Sequence, residues 1–265
     1  MGINRSAYSY WYNKGKCTEN EKLEFYQKII SVYSASKGIY GAPKIAAILE
    51  YQGVKCSVST VSRAMKILGI KSIVAEKFPK KRNALPDTEK ALMINLIKGL
   101  HIDKLNQVWT TDITYIKTTN DGNLYLISYI DYLSKIVVAW DLKKSQKAVD
   151  VIDVLKNAVL KRTPSPGLIV HSDKGSQMRS KLYREYLIRN NFVFSYTSLN
   201  HSCDENAAQE SFHSLIKKEC VYQKQLRNFN EAYSAIYDYI EKFYNPTRIH
   251  SSLGYLSPLV FEASL

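Results

Sequence analysis

The sequence predicts an α/β protein: a mixed sheet flanked by helices, preceded by a small all-α, helix-turn-helix-like domain. Three observations predict it. Residues 1–70 carry helical periodicity only. Residues 105–245 alternate β-prone runs with amphipathic stretches in the order β-β-β-α-β-α-β-α. The stretch between them is basic and broken by prolines. The expected organisation is a helical domain over 1–70, a basic linker over 71–104 and a catalytic-sized core with a helical tail over 105–265.

The first helix opens at Thr18, which forms a capping box with Glu21. Leu23, Phe25, Tyr26, Ile29, Ile30 and Tyr33 then recur at helical spacing. A second helix starts at Pro43, carries Ile45, Ile48 and Leu49 inward and ends near Gln52-Gly53. Ser57 or Ser59 caps a third, with Val61, Met65 and Leu68 inward and Gly69 as its stop. Its outward residues are Ser59, Thr60, Ser62, Arg63 and Lys66, short hydrogen-bonding groups and cations suited to a DNA major groove. The same pattern also suits a small bundle with a solvated face. Lys71, Lys77, Lys80, Lys81 and Arg82, with Pro79 and Pro86, mark the linker, which either tracks phosphates or acts as a solvated hinge.

In the second half, Val108–Lys117, Leu124–Tyr132 and Lys135–Leu142 read as three antiparallel strands. Ala148–Leu160 follows as a helix, with Val151, Ile152, Leu155, Val159 and Leu160 apolar, and Pro164, Pro166 and Gly167 end it. Leu168–His171 is a short buried strand, Leu182–Asn190 a helix, Phe192–Tyr196 a strand, and Asn206–Lys218 opens a long helical region. Strands of both senses imply a mixed sheet with helices on both faces.

Composition narrows the function classes. The chain has 265 residues, 45% hydrophobic and 23% charged, which excludes a mainly disordered chain. A net charge of +13 favours a polyanionic partner, nucleic acid or an anionic membrane. No apolar run approaches the length of a membrane span, and the N-terminus lacks the regions of a secretory signal. Met1-Gly2 opens a short myristoylation pattern, read as chance because nothing else points to a lipid anchor. The expectation is a cytoplasmic protein without a membrane partner. Cys17, Cys56, Cys203 and Cys220 are dispersed without a C-x-x-C pair, which fits a reducing compartment.

Three carboxylates stand out. Asp112 lies mid-strand in Trp109-Thr110-Thr111-Asp112-Ile113-Thr114-Tyr115, where a carboxylate is unfavourable unless something pairs with it. Asp173 follows the short buried strand, where α/β folds place active sites. Glu210 lies on a helix in Asn206-Ala207-Ala208-Gln209-Glu210-Ser211-Phe212. Converging, the three would repel one another, and hard divalent cations relieve that repulsion. Two ions could hold both the attacking and the leaving oxygen of an in-line phosphoryl displacement. Alternatively, each is a surface or capping residue.

Those motifs, with Leu215-Ile-Lys-Lys-Glu219, Tyr40-Gly-Ala-Pro-Lys-Ile and the tail Tyr244-Asn-Pro-Thr-Arg248-Ile-His250-Ser-Ser-Leu-Gly-Tyr255, resemble the OrfB-type transposases of the IS-three insertion-sequence family. These are DDE transposases related to retroviral-type integrases. The resemblance runs from about residue 5 to the C-terminus. It implies an RNase H-like core with Asp112, Asp173 and Glu210 as catalytic, metal-binding residues for Mg²⁺ or Mn²⁺, two ions in all. It implies metal-dependent cleavage at element ends and strand transfer into target DNA by the freed 3′-OH. It also implies double-stranded DNA as partner, a homo-oligomer on that DNA, an OrfA-like partner protein or fusion, and a bacterial, nucleoid-associated setting.

Two features depart from the family pattern. Asp173 and Glu210 have 36 residues between them, about one more than usual, which places an extra residue near Asn190-Asn191. Glu205 stands where the family usually has Asp, and His201 where it commonly has Gly.

Further candidates carry two readings each. Lys217, seven residues after Glu210, shares its helical face and either holds DNA or is solvated. Lys174 is a candidate phosphate contact. Arg248 is either a DNA contact or structural. Asp131, Asp141 and His171 read as structural or packing residues, and Tyr8, Tyr10, Trp11 and Tyr12 as core or interface aromatics rather than base-stacking ones. Competing functions are a non-catalytic DNA-binding regulator of element ends and a nuclease without strand transfer.

Overall fold

The structure is a computed structural model that describes residues 19–73, 94–197 and 206–265. The expected cap at Thr18, the aromatics at 8–12, most of the basic linker, His201 and Glu205 lie outside the described residues. The chain divides into two compact units, Met1–Lys77 and Phe78–Leu265.

Among its described residues the first unit holds three helices: α1 (Glu19–Ala35), α2 (Ala42–Tyr51) and α3 (Val58–Ile67). Pro43 sits in the first turn of α2, where its missing N–H costs nothing. Ser57 caps α3 by accepting from the Thr60 amide at 3.2 Å. Ile29, Ile45, Leu49, Val61, Ala64 and Met65 form the core. The expected face of α1 is narrower than its sequence suggests. Leu23 is 57% and Ile30 43% exposed, because a helix with one wall to cover buries Ile29 and Val32 instead. After α3 the chain returns to Gly38-Ile39. Ile73 N donates to Gly38 O, Ser72 Oγ to Ile39 O and Tyr33 Oη to Lys71 O. Gly38 has φ +77°, and a Cβ there would meet Tyr33 Oη at 3.1 Å.

The second unit is a five-stranded sheet in the order β3-β2-β1-β4-β5. The strands are β1 (Val108–Lys117), β2 (Asn123–Asp131), β3 (Val137–Lys143), β4 (Ile169–Ser172) and β5 (Val193–Tyr196). β1, β2 and β3 pair antiparallel, while β4 runs parallel to both β1 and β5. The helices are α4 (Ala148–Arg162), α5 (Lys181–Arg189), α6 (Ala207–Glu219), α7 (Phe229–Tyr239) and α8 (Pro258–Ala263). Period-two alternation sends alternate β2 residues to opposite faces. Ile127 and Tyr129 pack with Val151, Leu155, Tyr183 and Leu187 of α4 and α5. Leu124, Leu126 and Ile130 pack with Phe212, Ile216, Ile236 and Ile240 from the α6–α7 region. Leu160, expected inward, is 78% exposed, and Val154 and Ala158 take the buried positions of α4.

The segment at 94–97 belongs to this sheet's edge: Tyr196 N donates to Ile94 O and Leu96 N to Ser195 Oγ. The tail is latched at its end. Arg162 reaches Glu262 with two N–H bonds of 2.8 and 2.6 Å, and Ser134 Oγ adds a third at 2.7 Å. Among the described residues no helix is long and apolar enough to cross a membrane.

Candidate DNA-processing site

Strand lengths create the site. β1 has ten residues and β4 only four, and their parallel pairing ends at Thr111↔Ser172. The next residue on each strand is a carboxylate: Asp112 on β1 and Asp173 just past β4. Register therefore places the two at neighbouring positions at the end of β4, with Asp112 still paired to Ser128 of β2 and Asp173 past the sheet. Asp112 is half-buried and its Oδ1 accepts from the Ile113 amide at 2.7 Å. Asp173 is exposed, and its Oδ1 accepts from Gly175 N at 2.9 Å. Glycine suits that turn: a Cβ at Gly175 would meet Asp173 Oδ1 at 3.0 Å.

Glu210 stands exposed in the first turn of α6. The residue before it fixes the helix on the sheet. Gln209 is fully buried and its Nε2 donates to Thr110 O at 2.7 Å and Ser128 O at 3.2 Å. Its Oε1 accepts from Ser128 Oγ at 3.0 Å. One side chain thus ties α6 to β1 and β2, two residues before Asp112 on β1.

The α6 face that carries Glu210 also carries His213 and Lys217. His213 Nδ1 lies 3.4 Å from Asp112 Oδ2. Lys217 Nζ lies 5.5 Å from the centre of the Tyr115 ring. Burial lowers the Lys217 pKa and the Asp112 charge opposes that shift. Asp112 is thereby set against α6, and Asp173 against Asp112. Among the described residues, no three His, Cys, Asp or Glu side chains are already drawn together as a metal cage. The donors nevertheless fit a hard divalent cation in kind, being all carboxylate oxygens, and Asp173 and Glu210 both have exposed side chains.

The other expected residues divide. Ser59, Thr60, Ser62, Arg63 and Lys66 are all exposed on α3. Ser59 and Thr60 hydroxyls contact Ser57 Oγ at 2.9 and 2.8 Å, and Arg63 Nε donates to Ser59 O. Lys174 is half-buried with Nζ shielded from solvent, so it does not present its ammonium to an approaching phosphate.

Of the two readings of Arg248, DNA contact or structural residue, its surroundings match the structural one. It is 4% exposed, and its Nε and Nη2 donate to Glu219 at 2.8 and 2.6 Å. Tyr239 Oη donates to the same carboxylate at 2.7 Å. Burial opposes the Arg248 charge, but Glu219 outweighs it and holds the guanidinium pKa above its ordinary value.

His171 is buried, with Nδ1 2.9 Å from Ser195 Oγ, and so packs inside the sheet. Asp131 is buried and accepts from the amides of Asn106, Leu133 and Ser134, a turn-holding role. Asp141 pairs with Lys143 at 2.7 Å. Sequence reasoning missed Gln209 and His213 as site residues. Their only signal was position, one before and three after Glu210 on a helix whose buried face also holds Phe212, Ile216 and Glu219.

Comparison with known proteins gives the family of the chain. Residues 103–202 and 210–264 each match the family "Integrase core domain", and residues 19–78 match "HTH-like domain". The chain is 33% identical over 237 residues to the transposase for insertion sequence element IS904 of Lactococcus lactis, covering 89% of this chain and 92% of that protein. It is 32% identical to transposase InsF for insertion sequence IS3A of Escherichia coli, covering 88% and 80%. Similar solved structures include the HTLV-2 integrase catalytic core domain in complex with magnesium, with a TM-score of 0.45 and 16% identity over 59% of this chain and 95% of that one. The catalytic domain of Mos1 mariner transposase gives 0.44 and 15% over 52% and 71%. With a third of its residues shared with these transposases along most of its length, the chain belongs to the IS3 family of insertion-sequence transposases.

Proposed function

We propose that this transposase cuts and joins DNA with Asp112, Asp173 and Glu210 as its catalytic carboxylates. The observation that carries the reading is the register: β4 ends where Asp112 and Asp173 become neighbours, and Gln209 ties the Glu210 helix across the same stretch of β1. Asp112, Asp173 and Glu210 would hold Mg²⁺ or Mn²⁺, two ions in the full site, which would supply Lewis-acid activation of the attacking oxygen and stabilisation of the leaving one. The chain's part is positional. Asp112 is fixed by the sheet, Glu210 by the docked helix, and Lys217 sets a cation on the same face for the DNA backbone.

In strand transfer the 3′-OH of the element end attacks a target phosphorus. A new P–O bond forms and the bond to the target's own 3′ oxygen breaks. The attacking hydroxyl releases its proton to solvent, and the departing oxygen takes one up. No covalent protein intermediate is needed.

The DNA partners are element ends and target duplex. The exposed α3 face, with Arg63 and Lys66, is the candidate groove reader. The protein works as a homo-oligomer on DNA, with an OrfA-like partner, among cytoplasmic nucleoid proteins. The test is joining of pre-cleaved element-end DNA to a target, with that partner present, in Mg²⁺, Mn²⁺ or EDTA. The wild type joins in either metal and not in EDTA. Asp112→Asn, Asp173→Asn and Glu210→Gln bind DNA and fold normally but do not join. Full joining by any of the three overturns the assignment, and DNA binding without joining by the wild type in either metal favours a non-catalytic regulator.

A further inference from the structure

His213 has a role that the three carboxylates do not account for. It is 8% exposed, one helical turn beyond Glu210, and Nδ1 lies 3.4 Å from Asp112 Oδ2. The other carboxylate oxygen of Asp112 accepts from the Ile113 amide at 2.7 Å. The carboxylate is therefore bracketed, by its own strand on one side and by the imidazole on the other. The ring is held in turn: its centre lies 5.9 Å from that of Phe212, and Gln209 anchors the helix that carries it. His213 Nε2 is buried with no hydrogen-bond partner. A residue that only filled this space would do better as Phe or Leu, which bury no polar atom. The position keeps a nitrogen, and the contact that nitrogen makes is with Asp112.

We propose that His213 is a positioning residue for DNA transfer, orienting the Asp112 carboxylate through Nδ1. The inference rests on the assignment of Asp112 above. The tautomer that serves it carries the proton on Nδ1 and donates it toward Oδ2. Because α6 carries both Glu210 and the imidazole, one docked helix supplies one of the three carboxylates and a contact to another.

Three substitutions separate this role from packing. His213→Phe keeps the ring volume and removes the donor. His213→Asn puts an amide N–H near the place of Nδ1, and His213→Gln puts one near the place of Nε2. Each is compared with the wild type and with Asp112→Asn in the full chain on element-end DNA. The readouts are joining rate, thermal midpoint, and Mn²⁺ occupancy from the electron paramagnetic resonance signal of the free ion.

His213→Phe is expected to lower the joining rate and the Mn²⁺ affinity about 10–100-fold, the usual effect of losing a partner that orients a ligand. His213→Asn recovers most of both and His213→Gln does not. Wild-type rate and occupancy in His213→Phe overturn the proposal, as do equal losses in His213→Asn and His213→Gln. Should His213→Phe not fold, the Asn and Gln pair decides alone. If Asp112→Asn joins DNA normally, the site assignment itself has failed. If Asp112→Asn is inactive while His213→Phe is normal, only the role of His213 has failed.

Discussion

Arg248 illustrates what a cation costs and does once it is inside the fold. Its guanidinium meets Glu219 with two N–H bonds, and Tyr239 completes the carboxylate's contacts. Removing one partner of such a buried pair strands the other charge, so Arg248→Ala is expected to cost about 3–5 kcal/mol of stability. Arg248→Lys restores only part of it, because an ammonium cannot reproduce the planar two-bond fork. Denaturant unfolding of the two variants checks this, with DNA affinity measured on the folded fraction. Unchanged stability with weakened DNA binding would restore the DNA-contact reading. The tail sequence around Arg248 marked the residue as worth explaining. It could not name Glu219, 29 positions away, as the partner.

At the scale of elements, period alone carried most of the outline. The β1 run expected over Val108–Lys117 is the strand observed, and the order of the remaining strands and helices follows the sequence. Helix faces were less legible where two apolar neighbours compete for one wall. Ile29 is buried and Ile30 exposed, and Val159 and Leu160 end at the rim of α4 while Val154 and Ala158 go inside.

The docking of α6 was not legible at all, since it depends on Gln209 meeting main-chain groups 81 and 99 positions away. That contact makes a prediction. Gln209→Leu keeps the volume but leaves Thr110 O and Ser128 O without their donor. Each unmade bond of this kind costs about 1–3 kcal/mol. The variant should unfold at lower denaturant and join DNA more slowly than its folded fraction allows, because Glu210 is carried on the loosened turn. A stable variant with full joining activity would mean that α6 is held by its apolar face alone.

For the whole molecule, the net charge of +13 makes DNA affinity strongly salt-dependent through counterion release. The α3 face is the part of that charge assigned to duplex DNA. Replacing both Arg63 and Lys66 by Ala should reduce the slope of log affinity against log salt by about 2, at roughly 0.9 per phosphate contact. Stability should hold, since both side chains are exposed. An unchanged slope would remove these residues from the interface.

The catalytic reading depends on a different part of the chain, the place where a four-residue strand stops beside a ten-residue one. Sequence motifs named its three carboxylates. Strand register explains why two of them are neighbours, and no local pattern could supply that.

Anomalous scattering from Mn²⁺ in crystals of the full chain bound to element-end DNA tests this most directly. The account predicts manganese at the Asp112, Asp173 and Glu210 carboxylates, and its loss in Asp112→Asn. Ordered manganese elsewhere, in a complex that still joins DNA in Mn²⁺, would contradict it.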